Sequence, residues 1–115
     1  MTLEFVFDTF YDVDIFIYEA TKEELTEFYL KYLKENKEKV IDTLKEIYDL
    51  YPTENETFSV DYNINSKEDF DNLDENTIIE ILFDYESDVY TYLGEDIDAY
   101  FEPYAYEKYQ EESLK

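Results

Sequence analysis

The sequence predicts an α+β fold: one small domain over residues 1–115, with a short antiparallel sheet of about three strands packed against two or more helices. Three observations predict it. Two runs near the start, "LEFVF" and "VDIFIY", have strand composition. A long stretch behind them repeats its apolar residues at helical spacing. With 44% apolar and 20% aromatic residues in 115, the chain can fill a core, since folding at this length buries about 65% of the unfolded surface.

The two runs predict strands joined by a turn over Asp8 to Asp12. Thr21 and Glu24 form a capping box, with Thr21 as N-cap. Leu25, Phe28, Tyr29, Tyr32 and Leu33 then mark one helix face. Val40, Ile41, Leu44, Ile47, Tyr48 and Tyr51 continue it. The polar step Asn36-Lys37 either divides this stretch into two helices or lies under an edge of the core, and Pro52 ends it. "TFSVDYNI" alternates Phe58, Val60, Tyr62 and Ile64 with polar residues, which predicts the third strand. Ser66 is placed to cap a short helix through Leu73. From Thr77 to Leu93, Ile78, Leu82, Tyr85, Val89 and Leu93 fit a helix. "IIEILF" and "DVYTYL" around "DYES" fit a hairpin nearly as well. A helix is the expectation taken, with Gly94 as its C-cap. Asp96 to Phe101 predicts a further short helix stopped by Pro103.

Charge narrows the function. There are 32 acids and nine lysines, no arginine, and a net charge of −23. Phosphate binding needs cations, so nucleic acid and anionic membranes are excluded as direct partners. The expected macromolecular partner is basic. From Thr21 to Lys45 six acids balance six lysines. From Glu46 onward there are 21 acids against Lys67, Lys108 and Lys115.

No enzyme class announces itself. Histidine and cysteine are absent, which removes His-based triads, thiolate chemistry and nearly all zinc sites. One glycine cannot build a phosphate-cradling loop. Asp61, Asn63, Asn65, Lys67, Asp69 and Asn72 have the register of a calcium loop. Ser66 stands where that loop wants glycine, and Asn72 where it wants a bidentate glutamate. The stretch is read instead as a strand followed by a helix cap, and the expectation is no catalytic residue, no metal and no cofactor. The start lacks a signal-peptide pattern and apolar runs are too short to span a bilayer, so a cytoplasmic protein is expected.

The tract Asp84–Glu112 holds ten acids, seven of the fourteen tyrosines and one lysine. B-DNA carries a phosphate about every 3.4 Å of axis per strand. Helical neighbours three or four apart have Cβ atoms about 5–6 Å apart, and strand residues two apart about 6.6–6.8 Å. Glu95, Asp98 and Glu102 have the helical spacing. Asp84, Glu86 and Asp88 have the strand spacing. Asp96 and Glu107 add charge, and Tyr104 and Tyr106 are expected to offer exposed rings. These ten residues are the predicted partner-binding surface. With its tract "DYESDVYTYLGEDIDAYFEPYAYEKYQEE" and no catalytic set, the chain resembles the small acidic DNA mimics of phages and mobile elements, the anti-restriction and anti-CRISPR inhibitors. The likeness is one of overall character rather than of a family motif. It implies a monomer or homodimer in the host cytoplasm that fills the nucleic-acid groove of a defence enzyme and blocks it stoichiometrically. An immunity protein or antitoxin against a basic nuclease toxin shares this physics. A calcium-binding or structural acidic domain is the further alternative.

Overall fold

A computed structural model describes residues 1–113. The fold is α+β, with a two-stranded antiparallel sheet and five α-helices. The strands are β1 (Thr2–Asp8) and β2 (Val13–Glu19). The helices are α1 (Lys22–Glu35), α2 (Lys37–Leu50), α3 (Asn55–Tyr62), α4 (Glu75–Asp84) and α5 (Glu86–Ser113). Two 3-10 turns, Pro52–Glu54 and Lys67–Asn72, link α2 to α3 and α3 to α4. The chain divides into two compact units. The first is Met1–Phe28 with Leu93–Lys115, and the second is Tyr29–Tyr92.

In the first unit β1 and β2 pair from Thr2↔Glu19 to Asp8↔Val13, with Val6 opposite Ile15. The loop is closed by the Thr9 N–H on the Asp12 carbonyl at 2.7 Å and by the Asp12 N–H on the Thr9 hydroxyl at 2.9 Å. Alternation sends Leu3, Phe5, Phe7 and Tyr18 into the core. Phe7 meets Tyr106 and Tyr109 at ring distances of 5.3 and 5.0 Å. Tyr18 and Phe28 flank Phe101 at 5.9 and 6.2 Å. The capping box forms as read, with the Thr21 N–H on Glu24 at 3.0 Å and the Glu24 N–H on the Thr21 hydroxyl at 3.1 Å.

The second unit centres on Phe58. Tyr85 stacks on it at 5.2 Å with ring planes 7° apart, and Tyr48 and Phe70 meet it edge-on. Asn36 divides α1 from α2, settling the choice left open at Asn36-Lys37. Val40, Ile41, Leu44 and Ile47 supply the buried face of α2.

Three expectations are corrected. The third strand does not exist: Thr57 to Tyr62 lies in α3. Phe58 and Ile64 are buried as alternation demanded, but Val60 is 76% exposed. Asn63 ends the helix in the left-handed region (φ 57°), and its N–H reaches the Phe58 and Ser59 carbonyls. Asparagine tolerates that conformation better than other non-glycine residues, so the reversal delivers Ile64 to the core without a strand. Residues 77–93 are helical, but as two helices with a break at Tyr85 (φ −116°, ψ 40°). Neither Gly94 nor Pro103 stops α5. Val89, Leu93, Ile97, Phe101 and Ala105 are buried at every fourth position, and that continuous apolar stripe outweighs the local cost of both residues. Gly94 has no positive φ, and Pro103 points outward, exposed.

Candidate protein-binding surface

The predicted tract is divided by the fold. Asp84, Glu86 and Asp88 belong to the second unit; Glu95, Asp96, Asp98, Glu102, Tyr104, Tyr106 and Glu107 belong to the first. The strand spacing expected of the first three is lost, because they flank the break between α4 and α5. Two of them serve their own unit as acceptors. Tyr62 donates to Asp84. Tyr51 donates to both Asp88 oxygens, at 3.0 and 3.1 Å.

The helical spacing survives. Within Leu93–Ser113 the stripe Leu93, Ile97, Phe101, Ala105 faces inward and drifts about 40° round the helix at each step; Glu95, Ala99, Pro103, Glu107 and Glu111 wind round with it, so that Glu95 and Glu111 end about 160° apart, and all five are exposed. Glu102 and Tyr106 are also exposed, and Asp98 is half-buried. Glu95, Asp98, Glu102, Glu107 and Glu111 follow one another in steps of three to five residues, about 4.5–7.5 Å of helix axis. Asp96 and Tyr100 are half-buried as well, and Lys108 is the single lysine among the described residues of this stretch. Tyr104 and Tyr106 are 46% and 47% exposed. Each leans on a neighbour, Tyr104 on Tyr100 at 5.7 Å and Tyr106 on Phe7 at 5.3 Å.

Both units are strongly acidic, and cations are scarcer in the first. The first unit has fifteen acids against Lys22, Lys108 and Lys115; the second has seventeen against six lysines. Lys45 pairs with Asp71 at 3.0 Å and Lys67 with Asp49 at 2.5 Å, both in the second unit. The five acids of residues 4–19, Glu4, Asp8, Asp12, Asp14 and Glu19, stand outside the predicted surface, which follows the acid-rich stretch after Glu46. The lack of any lysine before Lys22 was the available signal.

Phenols do much of the work that cations do elsewhere. Tyr18 donates to Glu24, Tyr109 to Asp14 at 2.7 Å and Tyr85 to Glu54 at 2.6 Å. Burial, then the Glu24 carboxylate, pushes Tyr18 up to about 12. Burial, then Glu54, raises Tyr85 further. The hydrogen bond to Asp88 raises Tyr51, and that to Asp14 raises Tyr109. Partial burial pushes Glu24 up, but the Thr21 N–H, the Tyr18 phenol and Lys108 outweigh it and hold the carboxyl below its usual range.

The calcium-like register does not assemble. Asp61 lies in α3, Asn63 caps it, and the N–H groups of Asn65 and Ser66 occupy Asp69 at 2.8 and 3.1 Å. Among the described residues no cluster of three or more acidic side chains is placed to hold a metal ion. No helix among them is long and apolar enough to cross a membrane. The chain matches no family model, no curated protein and no solved structure.

Proposed function

We propose that this protein is a stoichiometric, non-enzymatic inhibitor of a basic nucleic-acid-binding protein, and that the carboxylates of α5 from Glu95 to Glu111 take the place of a phosphate row in that partner's groove. One observation carries the proposal. Over 21 residues of helix (Leu93–Ser113) the five carboxylates Glu95, Asp98, Glu102, Glu107 and Glu111 follow one another at axial steps of about 4.5–7.5 Å, with a single lysine in the stretch. An ordinary solvated helix face mixes the two signs of charge. A row of one sign costs self-repulsion, which binding to a basic groove relieves.

The test uses purified basic nucleases and restriction enzymes as a panel, with the chain titrated against each in the presence and absence of duplex DNA. Inhibition at one-to-one stoichiometry, with binding lost to competing DNA, is the expected result. On a partner so found, reversing Glu95, Glu102 and Glu107 to lysine should slow association steeply at low salt. Reversing the exposed Glu23, Glu27 and Glu35 changes net charge by the same six units and should do much less. Equal losses would reduce the row to bulk charge and refute the mimic. The chain itself should not retard DNA or RNA in a gel, since it has no cationic surface to release counterions.

A further inference from the structure

The outer face of the hairpin is apolar and bare. Val6, Val13, Ile15 and Ile17 project from the side of the sheet opposite the core and are 61%, 52%, 64% and 53% exposed. The register places Val6 directly across from Ile15 and sets Val13 and Ile17 on the same face of β2. At the tip, Phe10 and Tyr11 are 91% and 92% exposed and meet edge-on at 4.9 Å. They are held out by the Thr9–Asp12 closure.

β2 is apolar on both faces. Phe16 and Tyr18 face inward, while Val13, Ile15 and Ile17 face outward. A strand that is apolar on both sides belongs where both sides are covered. Here α5 supplies the inner cover, and none of the described residues of this unit supplies an outer one. β-branched residues are also those that gain most from packing on a pleated surface. Solvated strand faces are ordinarily polar, as Glu4 and Asp8 are.

The rim decides what the cover is. Glu4, Asp8 and Glu19 share the outer face with the four aliphatic side chains, and Asp12 stands at the tip. No lysine occurs before Lys22. A second copy of this chain would bring one acidic rim against another, and two chains of net charge −23 repel before contact. The complement of this face is an apolar strip bordered by lysine or arginine. We propose that the outer face of β1 and β2 is a docking surface for another protein that presents such an apolar strip with a cationic border. The proposal goes beyond the role of α5. A partner that engages only the hairpin satisfies it, whether or not α5 imitates phosphates.

The experiment uses two synthetic peptides of equal length and charge, one alternating lysine with valine and one alternating lysine with serine, titrated into isotopically labelled full-length protein. Backbone amide shifts report the site, and each titration is repeated at low and high salt. The lysine–valine peptide should shift residues 4–19, bind at least tenfold more tightly than the lysine–serine peptide, and retain binding in salt that abolishes the other. Replacing Val6, Ile15 and Ile17 together by threonine keeps strand propensity and should remove that tenfold advantage. Should the threonine variant misfold by circular dichroism, Glu4→Gln with Asp8→Asn reads the same face through its rim and should weaken the lysine–valine peptide several-fold. Equal binding of the two peptides, or shifts confined to α5, would overturn the proposal. So would sedimentation showing a dimer that the threonine variant dissolves, because the cover would then be a second copy.

Discussion

Raising the pH should unfold this protein through its tyrosines. The perturbation is titration from pH 9 to pH 12. Tyr18 has its phenol pushed up to about 12 by burial and by its hydrogen bond to Glu24, against about 10 for an unfolded tyrosine. A raised folded value means that the native state holds the proton more tightly than the unfolded chain. The associated stability is therefore fully present below about pH 10 and is lost as pH climbs towards the folded value. Two units at 1.36 kcal/mol each set a limit of about 2.7 kcal/mol, of which about 2 kcal/mol is lost by pH 12 from Tyr18 alone. Tyr29, buried, and Tyr85, buried and bonded to Glu54, are raised in the same direction. Their losses add to it. Against a total of about 5–15 kcal/mol for an ordinary domain, global unfolding is expected between pH 10 and pH 12. Phenolate absorbance followed with far-ultraviolet circular dichroism is the assay. Tyr18, Tyr29 and Tyr85 ionise cooperatively with the loss of helix. Tyr18→Phe should cost about 1.5–3 kcal/mol at neutral pH, the worth of a hydrogen bond to a charged group, yet make the alkaline decline shallower. Reversible titration of all fourteen tyrosines around pH 10 with helix intact would refute the phenol–carboxylate pairing.

Three further outcomes follow from the same structure. Pro103 is exposed within α5, and an interior proline costs about 3 kcal/mol relative to alanine, so Pro103→Ala should stabilise by about 1–3 kcal/mol. Calorimetry should show the melting temperature rising by about 4 °C per kcal/mol. Phe58→Ala empties the centre of the second unit's aromatic cluster and should cost about 3–5 kcal/mol, read from the shift of the urea midpoint. Added sodium chloride should raise the melting temperature of the unaltered protein, because screening relieves repulsion within the nearly cation-free first unit; a flat response would mean that its acids are already neutralised.

Much of the fold is legible in the residues, and the failures have a common cause. The hairpin, the Thr21–Glu24 box and the buried faces of α1 and α2 follow from period and capping chemistry, and the structure has all of them. The third strand fails because "TFSVDYNI" satisfies two templates over its short length. Its true fold turns on Asn63 adopting a left-handed conformation, which no periodicity reveals. Gly94 and Pro103 mislead because local propensity is a weak prior against burial. The stripe Val89, Leu93, Ile97, Phe101, Ala105 runs straight through both, and it is the longer-range signal. The candidate surface is legible where the helix is, at Glu95, Asp98 and Glu102. Asp84, Glu86 and Asp88 have a phosphate-like spacing only on the hairpin alternative, and the chain instead is helical with a break at Tyr85.

The interleaving of tyrosine with carboxylate has a physical logic that net charge alone misses. A lysine beside a carboxylate fixes its position but cancels its charge. A phenol fixes it and leaves the charge intact. Such bonds join Tyr18 to Glu24 and Tyr109 to Asp14 in the first unit, and Tyr51 to Asp88, Tyr62 to Asp84 and Tyr85 to Glu54 in the second. Each joins an acid to a ring that also packs or lies part-buried; Glu24, Glu54 and Asp88 are half-buried themselves, where a carboxylate left unbonded would cost most. The outward carboxylates Glu95, Glu102, Glu107 and Glu111 stand instead exposed on α5, where water solvates them. Tyrosine thus lets aromatic cores of this chain tolerate acids at their margins with few cations, and the acids turned outward keep their full charge.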